Sequence, residues 1–143
     1  MDMSGTKLRQ LFRMLIERAE THYTCLRGPR PSGALFIPTL VDANKIYYDG
    51  IPGAFGDVKP AEDSVSCKEH GTCMIEDGHC VRNIHAEVDA LLTCAKHGIP
   101  TYDGVMLSIN KPCFNCTKAC IKAGIKTIYY AYAVYDEQRT KDI

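Results

Sequence analysis

Apolar residues at Leu8, Leu11, Phe12, Leu15, Ile16 and Ala19 recur at steps of three, one, three, one and three. That is the period of an amphipathic helix with one face turned to a core, and Ser4 or Thr6 can cap its start. Gly28-Pro29 ends it, with Pro31 as a second breaker. Two runs, 34–41 and 45–48, then predict a strand pair around the turn Asp42-Ala43-Asn44. Pro38 lies inside the first run, which predicts an edge position or a bulge there. Residues 49–83 follow neither period and read as one long loop, uncommon in a small domain unless it serves a function. Regularity returns at 85–97, where Ala86, Val88, Leu91, Leu92 and Ala95 mark a helix closed by Gly98. A short apolar strand at 105–109, a helix over 112–123 stopped at Gly124, and an alternating strand at 126–134 complete the pattern. This order predicts an α/β sandwich with helices packed against a mixed sheet.

Composition narrows the function. The 143 residues suit a single domain, and 17 basic against 17 acidic side chains lack the surplus that a sequence-independent nucleic-acid binder needs. No run of apolar residues is long enough to span a membrane. The start, MDMSGTKLRQ, carries no apolar signal core, so a cytoplasmic setting is expected. Eight cysteines are the unusual count. In a reducing compartment, clustered cysteines more often serve metals or catalysis than bridges.

Two short motifs stand at helix starts: His85-Ala86-Glu87 and Pro112-Cys113-Phe114-Asn115-Cys116. One imidazole and two thiolates supply three zinc ligands and leave a fourth tetrahedral position open. Cys113 and Cys116 are three apart in the first helical turn, so both sulfurs can converge on one ion. The positive end of the helix dipole also favours thiolate over thiol there. Glu87 lies two positions past His85, near the metal without being needed as a ligand. Zinc brings the ionisation of a water in the open position down to about pH 7. A neighbouring carboxylate can take that proton and deliver it to a ring nitrogen and a leaving amine. Together these parts point to hydrolytic deamination. Either motif alone would be weak, since a lone CxxC also suits a redox pair, a structural zinc or plain packing.

The joined pattern H-x-E…P-C-x-x-C resembles the zinc-dependent cytidine and deoxycytidylate deaminase superfamily. Further stretches resemble its deoxycytidylate (dCMP) branch. These are Thr24-Cys25-Leu26-Arg27 after the first helix, the glycine-rich stretch Tyr48-Asp49-Gly50-Ile51-Pro52-Gly53, and the run from Gly78 through His79, Cys80 and Arg82 to Glu87. The resemblance implies a three-layer α-β-α sandwich with a mixed central sheet, one deaminase domain over 1–143 with a long loop at about 49–83. It implies catalytic zinc on His85, Cys113 and Cys116, and Glu87 as proton shuttle turning dCMP into dUMP and ammonia. It further implies homohexamers regulated by dCTP and dTTP, with Mg2+ bridging the triphosphate, in bacterial or phage-infected cytoplasm. Asp49, Gly50, Pro52, Arg27 and Lys111 are the candidates for substrate or effector binding, with Arg30 and Lys118 as further cations to test for phosphate.

Some members of that branch carry a second, structural zinc on the equivalents of Cys25 and Cys67. Five residues compete for its four places: Cys25 and Cys67, then Cys73 or Cys80 with His79. The alternatives are free thiols or, in an oxidising setting, a Cys67–Cys73 bridge. Cys94 and Cys120, among apolar neighbours on predicted helices, read as buried hydrophobes. His22, His70 and His97 read as surface or cap residues, and Tyr129, Tyr130, Tyr132 and Tyr135 as interface or pocket-wall residues. Two departures from the branch stand out, Asp49 and Asp89, each where its members carry Asn. An ionised Asp only accepts hydrogen bonds and repels phosphate unless a cation intervenes. The rival readings are a deaminase of another cytosine nucleoside or nucleotide, and a catalytically silent zinc protein that binds nucleotide.

Overall fold

The computed structural model describes residues 5–25, 31–39, 53–61, 66–77 and 79–132. In chain order the elements are α1 (Gly5–His22), β1 (Gly33–Ile37), β2 (Ala54–Asp57), β3 (Lys59–Pro60), α2 (Cys67–His70), β4 (Ile75–Glu76), β5 (His79–Cys80), β6 (Asn83–Ile84), α3 (Ala86–His97), β7 (Val105–Asn110), α4 (Phe114–Lys122) and β8 (Thr127–Tyr132). The central sheet runs β2-β1-β7-β8. β1 is antiparallel to both β2 and β7, while β7 and β8 are parallel, so the sheet is mixed.

Strand alternation sorts the core into two layers. Leu35, Ile37, Phe55, Val105, Leu107 and Ile109 face α1, whose stripe of Leu11, Leu15 and Ala19 is buried against them. Ala34, Phe36, Ala54 and Met106 face the opposite way, onto Ala86, Ala90 and Cys94 of α3 and Cys120 of α4. The three-layer α-β-α sandwich expected from the resemblance is therefore the observed fold. Gly98, left-handed at φ 68°, closes α3 where the sequence marks its end. No described helix is long and apolar enough to cross a membrane.

The stretch 49–83 is not a plain loop. It contributes β2, a fully buried strand of the central sheet, as well as the short helix α2 and the two-residue ladders β3–β6 and β4–β5. The sequence hid β2 because Ala-Phe-Gly-Asp is short, covered on both faces and without polar alternation. Its glycine is required by the packing. A Cβ on Gly56 would lie 1.8 Å from the Ala86 carbonyl oxygen and 2.7 Å from the Ala90 nitrogen. Only glycine lets the first turn of α3, which carries Glu87, press directly on the sheet. The expected partner strand at 45–48 and its turn lie outside the described residues. β1 is not an edge strand either: it sits between β2 and β7, and Pro38 follows its end instead of interrupting it. A proline there costs no ladder bond, which is why it is tolerated beside an interior strand.

The outer end of β2 ties the three layers together. Arg18 of α1 donates from Nε to Asp57 Oδ1 at 3.2 Å and from its second guanidinium nitrogen to Oδ2 at 2.8 Å. The same guanidinium lies over the Phe55 ring, 4.5 Å from its centroid. On the opposite face, the Asp57 backbone N–H donates to Asp89 Oδ2 of α3 at 2.8 Å.

Candidate metal and active site

His85 and Cys113 are the residues just before α3 and α4, both in extended conformation, and each starts its helix as the N-cap. The Cys113 sulfur takes the place of a capping oxygen and accepts the Cys116 N–H at 3.5 Å. One turn of α4 then brings Cys116 alongside, buried. The His85 Nδ1 lies 3.6 Å from Cys113 Sγ and 3.4 Å from Cys116 Sγ. Tetrahedral zinc, with bonds of about 2.3 Å to sulfur and 2.05 Å to nitrogen, sets such atoms roughly 3.6 Å apart. The donor set therefore has the spacing of a zinc centre, with all three ligand atoms within 4.8 Å of one another.

Its electrostatics agree. The Cys116 thiol bonds to the Cys113 sulfur, and this, helped by the His85 ring against the opposing effect of burial, holds Cys113 at about 4. Cys116 is pushed far up by that same bond, then by burial and the nearby Glu87. The bond to Cys113 also raises His85. Two sulfurs this close keep one proton between them, and a divalent cation is the group that holds both as thiolates.

Glu87, 5% exposed, sits on the first turn of α3. Ser108 of β7, fully buried, places its hydroxyl 2.5 Å from Glu87 Oε1 and 2.6 Å from the Asn110 carbonyl oxygen. Sequence reasoning missed Ser108. Only the parity of β7 betrays it: between Leu107 and Ile109, which face α1, it is a lone hydroxyl aimed at the α3 side.

Asp89, one of the two departures, is occupied structurally by the bond from Asp57 rather than exposed to a ligand. Burial raises its carboxyl above the usual value. A raised carboxyl favours the fold most when protonated, and that contribution fades as pH rises through the unfolded and then the folded value. Asn cannot ionise and still accepts from Asp57. Asp89→Asn is thus expected to melt above the parent at pH 7, with the gap closing as pH falls towards about 4. Melting curves across that range check it, and a gap that widens in acid would contradict the account.

A second group converges beside Asn83 of β6. Cys67, Cys73 and Cys80 bring their sulfurs within 4.8 Å of one another, with Cys67 and Cys80 3.6 Å apart. Tetrahedral zinc sets two sulfurs roughly 3.8 Å apart. The Asn83 side-chain amide lies 3.5 Å from Cys67 Sγ and 3.9 Å from Cys80 Sγ. Cys80 is lowered to about 7: burial opposes the shift, but backbone N–H groups of residues 82, 74 and 83 and the Cys67 thiol outweigh it. Cys25 is not in this three-sulfur group, although it bonds to Tyr23, whose hydroxyl also feels Cys73 and Cys67. His79 belongs to β5, and its side chain lies outside what the structure describes. None of the eight cysteines is in a disulfide, so there is no Cys67–Cys73 bridge. Cys94 and Cys120 are buried in the core, and burial pushes their thiols up to about 11 and 12, which suits packing. Arg27, Arg30, Asp49, Gly50, Pro52 and Tyr135 lie outside the described residues. Lys111 is buried and Lys118 exposed.

A family profile described as the cytidine and deoxycytidylate deaminase zinc-binding region matches residues 6–132. The ComE operon protein 2 of Bacillus subtilis (strain 168) is 37% identical over 113 residues, or 79% of this chain. The chain spans 56% of that relative's length. Among solved structures, the dCMP deaminase of cyanophage S-TIM5, in complex with dCMP and dUMP, superposes with a TM-score of 0.68 at 18% identity, covering 99% of this chain and 91% of that one. A diaminohydroxyphosphoribosylaminopyrimidine deaminase/reductase of Thermotoga maritima superposes at 0.56 with 16% identity, covering 94% of this chain and 35% of that one. At such identities the superpositions speak for the fold, while the profile spans most of the chain and both of its zinc motifs. The chain belongs to the cytidine and deoxycytidylate deaminase family.

Proposed function

We propose that this protein hydrolyses dCMP to dUMP and ammonia at a zinc centre held by His85, Cys113 and Cys116. The observation that carries the reading is the meeting of that donor set with the buried Glu87 at the starts of two adjacent helices. Zinc, when bound, supplies a Lewis acid that brings the ionisation of water into the neutral range. The chain's own residues handle the protons. Glu87 takes one from the attacking water and passes it to N3 of the cytosine ring, as the water oxygen bonds to C4. The carboxylate then takes the proton of the new C4 hydroxyl and delivers it to N4, so that the C4–N4 bond breaks as the C4 carbonyl forms and the amine leaves as ammonia. Ser108 fixes the orientation of Glu87 throughout, so that the carboxyl serves both positions without rotating away. Burial of Glu87 excludes bulk water from competing for those protons.

The reading takes in the whole chain as one deaminase domain. It includes a structural zinc on Cys67, Cys73 and Cys80, with Cys25 or His79 as fourth ligand. Asp49, Gly50, Pro52 and Arg27 take sugar, phosphate or effector in this scheme. Homohexameric assembly, control by dCTP and dTTP with Mg2+, and a cytoplasmic nucleotide pool complete it. Support for a nucleotide substrate comes from the cyanophage enzyme, which was solved with dCMP and dUMP.

Ammonia release from dCMP, deoxycytidine, dCTP and single-stranded DNA tests the proposal. Turnover of dCMP well ahead of the others is expected. No turnover of any cytosine compound would remove the deaminase reading, and equal turnover of deoxycytidine would remove the preference for a nucleotide.

A further inference from the structure

Lys111 follows the last residue of β7 and precedes Pro112-Cys113, so its backbone joins the central sheet to the zinc motif. It is 4% exposed, and its Nζ is buried with no hydrogen-bond partner among the described residues. The ammonium lies over the Tyr130 ring, 5.4 Å from the centroid. That contact covers one side of a group with three N–H donors and satisfies none of them by a hydrogen bond. Lysine is almost never fully buried unless paired, because a buried charge without a partner is strongly disfavoured. An anion is the missing complement.

The sheet register shows where that anion would sit. Ser108 and Tyr130 are paired across the parallel strands β7 and β8. Their neighbours Met106 and Ile128, two residues earlier, both pack into the α3–α4 core, whereas Leu107 and Tyr129 pack towards α1. Alternation therefore turns Tyr130 to the same face as Ser108, the face on which Glu87 lies. The Lys111 ammonium, held over Tyr130, is on that face too, at the carboxyl ends of two adjacent parallel strands. Open α/β sheets bind their ligands at that end of the strands.

We propose that the Lys111 ammonium anchors the phosphate ester of the nucleotide substrate and so makes this site prefer a nucleoside monophosphate to the free nucleoside. The assignment rests on the deaminase reading for the identity of the substrate, but the anion site itself does not require turnover. A dianionic phosphate gives the ammonium the acceptors it lacks, and the Tyr130 ring closes its remaining side. The Lys111 backbone N–H, bonded to the Tyr132 carbonyl at 2.7 Å, fixes the stem from which the side chain projects.

The test uses the zinc-loaded protein with two substitutions, Lys111→Met, which keeps an unbranched apolar stem, and Lys111→Arg, which keeps the charge. Melting temperature is followed with increasing inorganic phosphate, dCMP or dCTP, and kcat and KM are measured for dCMP and deoxycytidine. Phosphate and dCMP are expected to raise the melting temperature of the parent and of Lys111→Arg, and to leave Lys111→Met unmoved. In Lys111→Met the ratio of kcat/KM for dCMP over deoxycytidine is expected to fall by about 10- to 100-fold, mostly through KM, as befits a lost charged hydrogen bond. Without phosphate, Lys111→Met is expected to melt at or above the parent, since an unpartnered charge has been removed. A phosphate shift that survives in Lys111→Met would overturn the assignment. So would a parent insensitive to phosphate whose Lys111→Met variant melts lower and dissociates, since the lysine would then pair with another subunit. Stabilisation by dCTP but not by dCMP would overturn it in favour of an effector site. If no cytosine compound is turned over while the phosphate shift depends on Lys111, the deaminase reading fails and the anion site stands.

Discussion

Glu87→Gln is expected to lower kcat for dCMP deamination by about 10²- to 10⁴-fold, the usual worth of a positioned general acid–base, while zinc content stays at the parental level. Gln matches Glu in shape and its carbonyl can still accept from Ser108, so the first turn of α3 keeps its geometry. What it cannot do is carry a proton from water to the ring. Because Glu87 is not among the converging donors His85, Cys113 and Cys116, zinc binding does not depend on it. Ammonia release and metal analysis on the same preparation check both halves. Activity within tenfold of the parent would remove Glu87 from the proton path. Loss of zinc along with activity would make it part of the metal site instead.

The second large effect is expected from metal stoichiometry. The parent should hold two zinc ions per chain, and Cys116→Ala and Cys67→Ala should each hold one, for different reasons and with different consequences. Losing the Cys116 centre abolishes turnover and leaves most of the fold in place, because α3 and α4 are already anchored through Ala86, Ala90, Cys94 and Cys120. Losing the Cys67 centre acts on stability. The segment around it is built from a four-residue helix and two-residue strands. One helical turn and such short ladders do not hold themselves together in water. The apparent binding energy of a structural zinc is about 10–16 kcal/mol in small domains, enough to order such a segment. Limited proteolysis should therefore cut Cys67→Ala between 61 and 83 and spare Cys116→Ala. A parent with one zinc, or Cys116→Ala with none, would leave the three clustered sulfurs without a metal.

The two zinc motifs, the helices α3 and α4 and the strand β7 were legible in the sequence because each is a local pattern. Cys113 and Cys116 converge through one helical turn, and His85 and Cys113 are placed by the way helices begin. Periodicity also revealed α1 and the strand that became β8. Three things were not legible, and all depend on what packs against what. β2 carries no alternation because it is covered on both faces, so only the contact of Gly56 with the α3 backbone explains its sequence. Ser108 is one serine in an apolar strand until the sheet aims it at Glu87. Asp89 looked like a ligand-side departure, and the fold instead spends it on Asp57, which Arg18 grips from the other side of the sheet.

By itself, then, the sequence determined the donor types, their spacing on helix starts and the carboxylate beside them, since bond lengths and helical pitch dictate those relations. The tertiary structure decided which cysteines meet: Cys67, Cys73 and Cys80 gather while Cys25 is outside their group. It also decided that Lys111 is a buried cation facing the same side of the sheet as Glu87. Such relations join residues far apart along the chain, and only the register of the sheet and the exclusion of water around it bring them into one place.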